Sequence, residues 1–330
     1  MQISAKHVGG VLGGLLIGRA IVRARTAFDL TGKVCVVTGG SRGLGLAIAR
    51  VLTARGAKVA ICARDAAELD RARPEVALAL RCDVTRVDEV ADLCRRVRTV
   101  LGPIDVLVNN AGVIAVGPTE LMGKADYAEA MDAHFWAPLS LIQEIAPDMI
   151  ARGGGRIANV ASIGGVVAVP HLVPYAASKF ALVGLSEGLG VALAKYGVRT
   201  TTVIPGLMRT GSPRNATMKG KHREEYRWFK LGDSLPLLTM SAPRAAEKIV
   251  RAIEHGDAML VMPAVAKALR LAHALAPEVT TRVLGIVERL LPGIGGIETS
   301  RAKGYESETP ITRSVLAVLT DRAARAHNEG

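Results

Sequence analysis

The run Lys33-Val34-Cys35-Val36-Val37-Thr38-Gly39-Gly40-Ser41-Arg42-Gly43-Leu44-Gly45 limits what this chain can become more than any other stretch. Val34 to Val37 is short, apolar and β-branched, the pattern of a strand buried on both faces. Glycines at 39, 40, 43 and 45 follow at once, and an amphipathic run then continues to Arg55. Strand, glycine turn and helix in that order make a phosphate cradle. The glycines let backbone N–H groups approach an anion, and the helix N-terminus adds partial positive charge. The residues expected to line it are Gly39, Ser41, Arg42, Gly43, Leu44 and Gly45. A purely structural turn is the alternative.

The alternation repeats downstream. Lys58 to Cys62 reads as a second strand, ending in Ala63-Arg64-Asp65. A fold of this kind that takes NAD usually places a carboxylate at this strand end for the ribose 2′-hydroxyl. Here Ala63 comes first and Arg64 follows. Arg64 and Arg42 can together hold a 2′-phosphate, so the residues favour NADP(H) over NAD(H), with Asp65 read as a cap of the next helix. A third strand, Val76 to Arg81, leads to Asp83 and Val84, where Asp83 can accept a hydrogen bond from an adenine amino group or cap a helix over Thr85 to Leu101. Ile104 to Val108 is a fourth strand. Asn110, Ala111 and Gly112 after it are small or amide residues that allow close approach of a flat ring. The pattern predicts an α/β Rossmann-type doubly wound parallel sheet of about seven strands, the others at Gly155 to Val160, Val198 to Ile204 and Ala258 to Met262.

Tyr175 and Lys179 stand four residues apart at the start of a predicted helix, so both heads can reach one spot. A nearby ammonium favours a phenolate and is expected to lower the tyrosine pKa from its free value of about 10. Thr-Gly-x-x-x-Gly-x-Gly at 38 to 45, Asp83, Asn-Asn-Ala-Gly at 109 to 112 and Tyr-x-x-x-Lys at 175 to 179, in this order, resemble the short-chain dehydrogenase/reductase superfamily over roughly residues 31 to 262. The resemblance implies an NAD(P)-dependent oxidoreductase acting on CH–OH or C=O groups. It implies Ser162, Tyr175 and Lys179 as the catalytic residues, Ser162 standing thirteen residues before the tyrosine. Tyr175 and Lys179 are then expected to touch the cofactor too, the lysine at the nicotinamide ribose. Pro205, Gly206 and Thr210 are expected to pass the nicotinamide. His134 falls where the family usually has asparagine, whose backbone carbonyl serves a proton relay. A backbone carbonyl survives the change, so the relay is expected to persist.

The expected organisation is an apolar, basic extension over 1–30, a catalytic domain over 31–262 with a substrate lid at 211–240, and a helical extension over 263–330. The net charge of +12 fits solubility, a phosphorylated cofactor or a membrane surface. Nucleic acid is disfavoured, because aromatics make up only 3% and no zinc-finger spacing occurs. The spacing of Cys35, Cys62, Cys82 and Cys94 implies no metal site; buried thiols in a reducing, cytoplasmic setting are expected. The glycine-rich apolar run at 8–22 is short for a membrane span and is read as a monotopic anchor, a packed helix or a frayed tail. Ala264 to Leu291 is expected first as helices packed on the core, with a substrate-tunnel wall, an oligomer contact or a membrane-facing surface as the alternatives, and the last twenty-odd residues as charged and mobile at the end. The expected partner is a small, apolar carbonyl or alcohol substrate, in a homo-oligomer. Two alternatives stand beside the reductase: a membrane-associated reductase of a lipid-like long-chain, sphingoid or steroid ketone, and a non-catalytic dinucleotide-binding sensor or scaffold. The last expects a broken triad, and Ser162, Tyr175 and Lys179 are all present.

Overall fold

The computed structural model describes Gly18, Arg23 and residues 27–234, 239–312 and 318–329. The central sheet has seven strands, β1 (Val34–Thr38), β2 (Lys58–Ala63), β3 (Leu78–Arg81), β4 (Ile104–Asn109), β5 (Gly155–Val160), β6 (Val198–Pro205) and β7 (Met259–Met262). All neighbours run parallel, in the order β7-β6-β5-β4-β1-β2-β3. The chain builds outward from β1 to β3, then returns to build the other half from β4. The C-terminal ends of β1 and β4 therefore border a crevice where the winding reverses, the place where such sheets hold ligands.

The continuous apolar reading of β1 follows from its surroundings. Cys35 and Val37 face one core, with Leu46 and Ile48 of helix α1 (Gly43–Ala54). Val34 and Val36 face the other, with Leu93 and Val97 of α3 (Val87–Leu101), which follows the short α2 (Ala66–Ala72). Helix α4 begins as Lys124–Met131, passes through a π-helical turn at Asp132–Trp136 and continues as Ala137–Ala151. Next comes α5 (Val173–Ala194), which is long and apolar enough to cross a membrane, yet it carries Tyr175 and Lys179 and packs on β6. Helices α6 (His222–Ser234) and α7 (Ala242–His255) follow, α7 lying beside α1 over the first core. The four cysteines are buried free thiols.

Over the described residues 211–234, the expected lid is structured: a short helix at Ser212–Asn215, a two-residue strand at Thr217–Met218 and then α6. Thr217–Met218 pairs with Ala115–Val116 on one side and Ala302–Lys303 on the other, so later chain is stitched to this cover.

Two expectations for the C-terminal part need correction. Helices α8 (Ala264–Leu275) and α9 (Pro277–Glu288) pack on each other, with only Ala266 buried in α8 and no residue buried in α9. Both sheet faces are already covered by earlier helices, so their apolar stripes have no core to enter. The last stretch is not loose either. Helix α10 (Val318–Ala326) packs on α6, and His327 and Glu329 beyond it are buried. The apolar run at 8–22 lies outside the described residues except for Gly18. Arg23 just after it makes a two-pronged bond to Asp257, at 2.9 and 2.8 Å.

Candidate active site

The glycine turn is shaped by what surrounds it. Gly39 has φ of +61°, and a Cβ there would come 2.9 Å from Ala111 Cα. Asn110 Nδ2 donates to the carbonyls of Thr38 and Gly39, at 3.0 and 3.3 Å. Thr38 Oγ1 accepts from the N–H groups of Asn110 and Ala111, both at 3.0 Å. The Asn110-Ala111-Gly112 segment thus braces the turn after β1. The structure brings these two sequence-distant motifs together.

Asp65 resolves as the cap. Its carboxylate accepts the Glu68 N–H at 2.9 Å and opens α2. Arg42 donates 2.7 Å to Glu68 and 2.8 Å to Asn215, while the exposed Arg64 lends its backbone carbonyl to Arg81. The two arginines therefore do not form a direct pair. They do lie close enough to a third cation, Lys303, to help burial hold its ammonium below the ordinary lysine value. Motif reading missed Lys303, because it arrives from a strand nearly 240 residues beyond Arg64. Asp83 does not cap a helix: α3 starts at Val87, and Asp83 Oδ1 instead accepts from the Thr85 N–H and hydroxyl at 3.1 and 2.8 Å. The intervening residues turn too tightly to be helical. Val84 follows it at the same strand end, packed against the second core.

The three residues expected to be catalytic lie beyond the end of β5 and on the first turns of α5. Ser162 follows β5, and its Oγ accepts the Gly164 N–H at 3.1 Å and bonds Tyr175. Lys179 is 4% exposed, and its Nζ donates to the Val160 carbonyl at 2.8 Å. Burial pulls its pKa down to about 7. The expected lowering of the tyrosine pKa is not seen in this arrangement. Burial pushes the Tyr175 phenol up, the Ser162 bond holds it partly back, and Asp233 on α6 pushes it further. The reason is geometric: the Lys179 ammonium is 5.7 Å from the tyrosine ring centre and is turned to a carbonyl. Asp233, itself raised well above the usual carboxyl range by burial and by Glu329, escaped motif reading because a single acid in a polar helix carries no local signal.

Pro205 ends β6 beside Met262, and the Gly206 N–H donates to the Met262 carbonyl at 2.7 Å. Thr210 is 2% exposed; its hydroxyl donates to Ser212 Oγ at 2.8 Å and accepts the Ser212 N–H at 3.2 Å. Its side chain therefore acts locally, just before the short helix there.

His134 has a defined structural task. Its Nε2 accepts the Val113 N–H at 3.1 Å, and its Nδ1 lies 2.7 Å from Ser178 Oγ, which donates to the Tyr175 carbonyl at 2.8 Å. Burial, with help from Lys179, keeps the ring neutral. The acceptor role of Nε2 then assigns the proton to Nδ1, which donates to Ser178. One side chain thus joins the Asn110-to-Gly112 bend to the first turn of α5. We expect His134→Phe to orphan the Val113 N–H and lower stability by about 1–3 kcal/mol. His134→Asn should retain most of it; thermal unfolding of the two variants checks this.

The matching family model, described as short chain dehydrogenase, covers residues 33–220. The chain belongs to the short-chain dehydrogenase/reductase superfamily. A gluconate 5-dehydrogenase of Gluconobacter oxydans is 35% identical over 189 residues, covering 56% of this chain and 74% of the relative. A solved short-chain dehydrogenase from Streptomyces avermitilis superposes with a TM-score of 0.67 at 31% identity, over 78% of this chain and 97% of that one. A variant of actinorhodin polyketide ketoreductase, solved with NADPH, superposes with a TM-score of 0.63 at 30% identity, over 72% and 97% of the two chains. This superfamily member is accordingly an NAD(P)-dependent oxidoreductase.

A dinucleotide fits the residues present. Glycines at 39, 43 and 45 leave the backbone N–H groups of the turn without side chains over them, and the Gly43 N–H already serves an oxygen acceptor, the His327 carbonyl. The Glu329 carboxylate of this same chain lies against Gly43 and accepts the Gly211 N–H.

Proposed function

We propose that this superfamily member is an NADP(H)-dependent reductase of ketones or aldehydes, working in reverse as a secondary-alcohol dehydrogenase. The observation that carries the reading is the meeting of the Tyr175 hydroxyl with Ser162 beside Lys179, at the crevice bordered by the glycine turn. The turn from Gly39 to Gly45 would hold the dinucleotide phosphates, Arg42, Arg64 and Lys303 a 2′-phosphate, and Asp83 and Val84 the adenine. Asn110 to Gly112, Lys179, Pro205, Gly206 and Thr210 would hold the nicotinamide half. When bound, that cofactor supplies or takes the hydride.

The protein's own work is proton transfer and positioning. Ser162 holds the substrate oxygen by hydrogen bonding. Tyr175, kept protonated by its raised pKa, donates to the oxygen as negative charge develops, or accepts in reverse. Lys179 supplies positive charge below about pH 7, where its ammonium is charged, and loses it above.

Three features support NADP(H) over NAD(H): the grouping of Arg42, Arg64 and Lys303, the commitment of Asp65 to its helix cap, and the NADPH held by the related ketoreductase. In a panel of ketones, aldehydes and alcohols followed at the nicotinamide absorbance, kcat/KM with NADPH should exceed that with NADH at least tenfold. Equal or reversed preference would sink the assignment.

A second reading, a reductase of lipid-like ketones working at a membrane surface, is favoured by the outward apolar stripes on α8 and α9. Leu271, Leu275, Val279, Val283 and Ile286 are 53–77% exposed, with Arg270 and Arg282 adjoining them in the chain. Long-chain and steroid-like ketones in the same panel decide it: a kcat/KM no better than for short ketones removes it.

A further inference from the structure

Residues 327–329 lie across the glycine turn. The His327 carbonyl accepts the Gly43 N–H at 2.8 Å. Asn328 Nδ2 donates to the carbonyls of Ser41 and Glu68, at 2.8 and 2.9 Å. The Glu329 carboxylate accepts the Gly211 N–H, and its Oε1 would lie 3.0 Å from a Cβ placed on Gly43. Three consecutive residues thus engage the turn, α2 and the segment after β6.

These are the donors a phosphate would need. The first N–H groups of α1 have no partner within the helix, which is what makes such a turn an anion site. Here the first of them, on Gly43, is already spent on His327. We propose that residues 327–329 are an intramolecular ligand of the dinucleotide phosphate site, and that NADP(H) binds by displacing them. This rests on the reading of the glycine turn as the cofactor's phosphate cradle.

The segment is held in place from outside the turn. Lys230 of α6 pairs with Asp321 of α10 at 2.7 Å, and Ser234 shares a 2.5 Å hydrogen bond with Thr320. Arg50 of α1 donates to the Ala326 carbonyl at 3.0 Å. The anion it delivers is nonetheless a weak one. Burial pushes the Glu329 carboxyl up to about 7, with Glu68 adding to the rise, while the Gly211 N–H, Arg42 and Arg214 oppose it. Asp233 faces it from α6 and is itself raised by it. A carboxylate whose charge is suppressed by its own docking is a displaceable stand-in for a phosphate. A cavity of about 290 Å³ beside it, bordered by Asp65, Arg71, Arg214, Asn215 and Asn328, leaves the outer part of the site open to an incoming dinucleotide.

The docked form makes the binding-competent form a minority and weakens apparent affinity by that fraction. In the full chain, the double substitution Asn328→Ala with Glu329→Ala should tighten NADPH binding about tenfold, read by nicotinamide fluorescence titration. Glu329→Gln, the milder change, should alter the pH response of binding. The docked carboxyl binds a proton below about 7, against about 4.5 for a free glutamate. Docking is therefore most favoured below pH 4.5 and weakens up to about 7, so wild-type NADPH affinity should rise across that window more than that of Glu329→Gln. Adding NADPH to wild type should also speed hydrogen exchange in residues 318–329. If NADPH binds both proteins equally and the segment stays protected, displacement is wrong and the cofactor reading stands. Weaker binding by the double variant overturns it too, making the segment part of the cofactor's wall. If both proteins are folded by circular dichroism and neither binds NADPH, the cofactor reading falls and displacement with it.

Discussion

Replacing Tyr175 with phenylalanine should lower turnover about a thousand-fold, the middle of the range for loss of a positioned acid/base, while NADPH binding stays within a few-fold. The ring itself has a packing role that phenylalanine keeps. It meets the His134 ring edge-on at 5.3 Å between centres and packs with the Leu172, Tyr226 and Phe229 cluster. What is lost is the hydroxyl and its bond with Ser162. In wild type burial keeps the phenol protonated across the neutral range, so in the reducing direction the proton is in place before the substrate oxygen gains charge. Steady-state turnover and a fluorescence titration of NADPH, done side by side, separate the two effects. Turnover within a few-fold of wild type would remove Tyr175 as the proton donor.

Gly45→Val should cost both stability and cofactor binding. A Cβ at this position would lie 2.6 Å from Asn110 Nδ2 and closer still to the Gly39 carbonyl. Neither neighbour can retreat cheaply. Asn110 is tied to the carbonyls of Thr38 and Gly39, and Gly39 is itself pressed against Ala111. Overpacking in a close-fitted interior costs about 1–3 kcal/mol, and rigid backbone on one side places this case at the upper end. A fall in Tm of about 5–10 °C follows for a domain of this size, with NADPH binding lost because the turn must open to admit the side chain. A variant with unchanged Tm and NADPH affinity would show that the close approach of α1 to the turn is not what Gly45 serves.

The readings that held share a physical origin. Val34 to Thr38 is apolar at every position because the sheet is covered on both faces, and that requirement is written locally in residue type. The glycines at 39 and 45 are demanded by contacts with Ala111 and Asn110, and glycine is the residue that meets them, so the signal sits in the sequence. The readings that failed depended on distant chain. Lys179 was expected to lower the tyrosine pKa, but where its ammonium points is decided by the Val160 carbonyl at the end of β5. Apolar periodicity in α8 and α9 shows a stripe but not what faces it, and the sheet was already covered.

Local residue chemistry was enough to establish the doubly wound sheet and to point to the glycine turn and the Tyr175 and Lys179 pair, with Ser162 added by the family resemblance, because strand burial, backbone approach and i,i+4 spacing are short-range demands. Packing alone settled the rest. It brought Lys303 to Arg42 and Arg64, put His134 between Val113 and Ser178, aimed Asp233 at the tyrosine and laid Glu329 on Gly43. Each of those meetings joins residues far apart in the chain. Whether a charge ends beside a cation, a carbonyl or a glycine turn depends on how whole elements dock, and no local pattern records that.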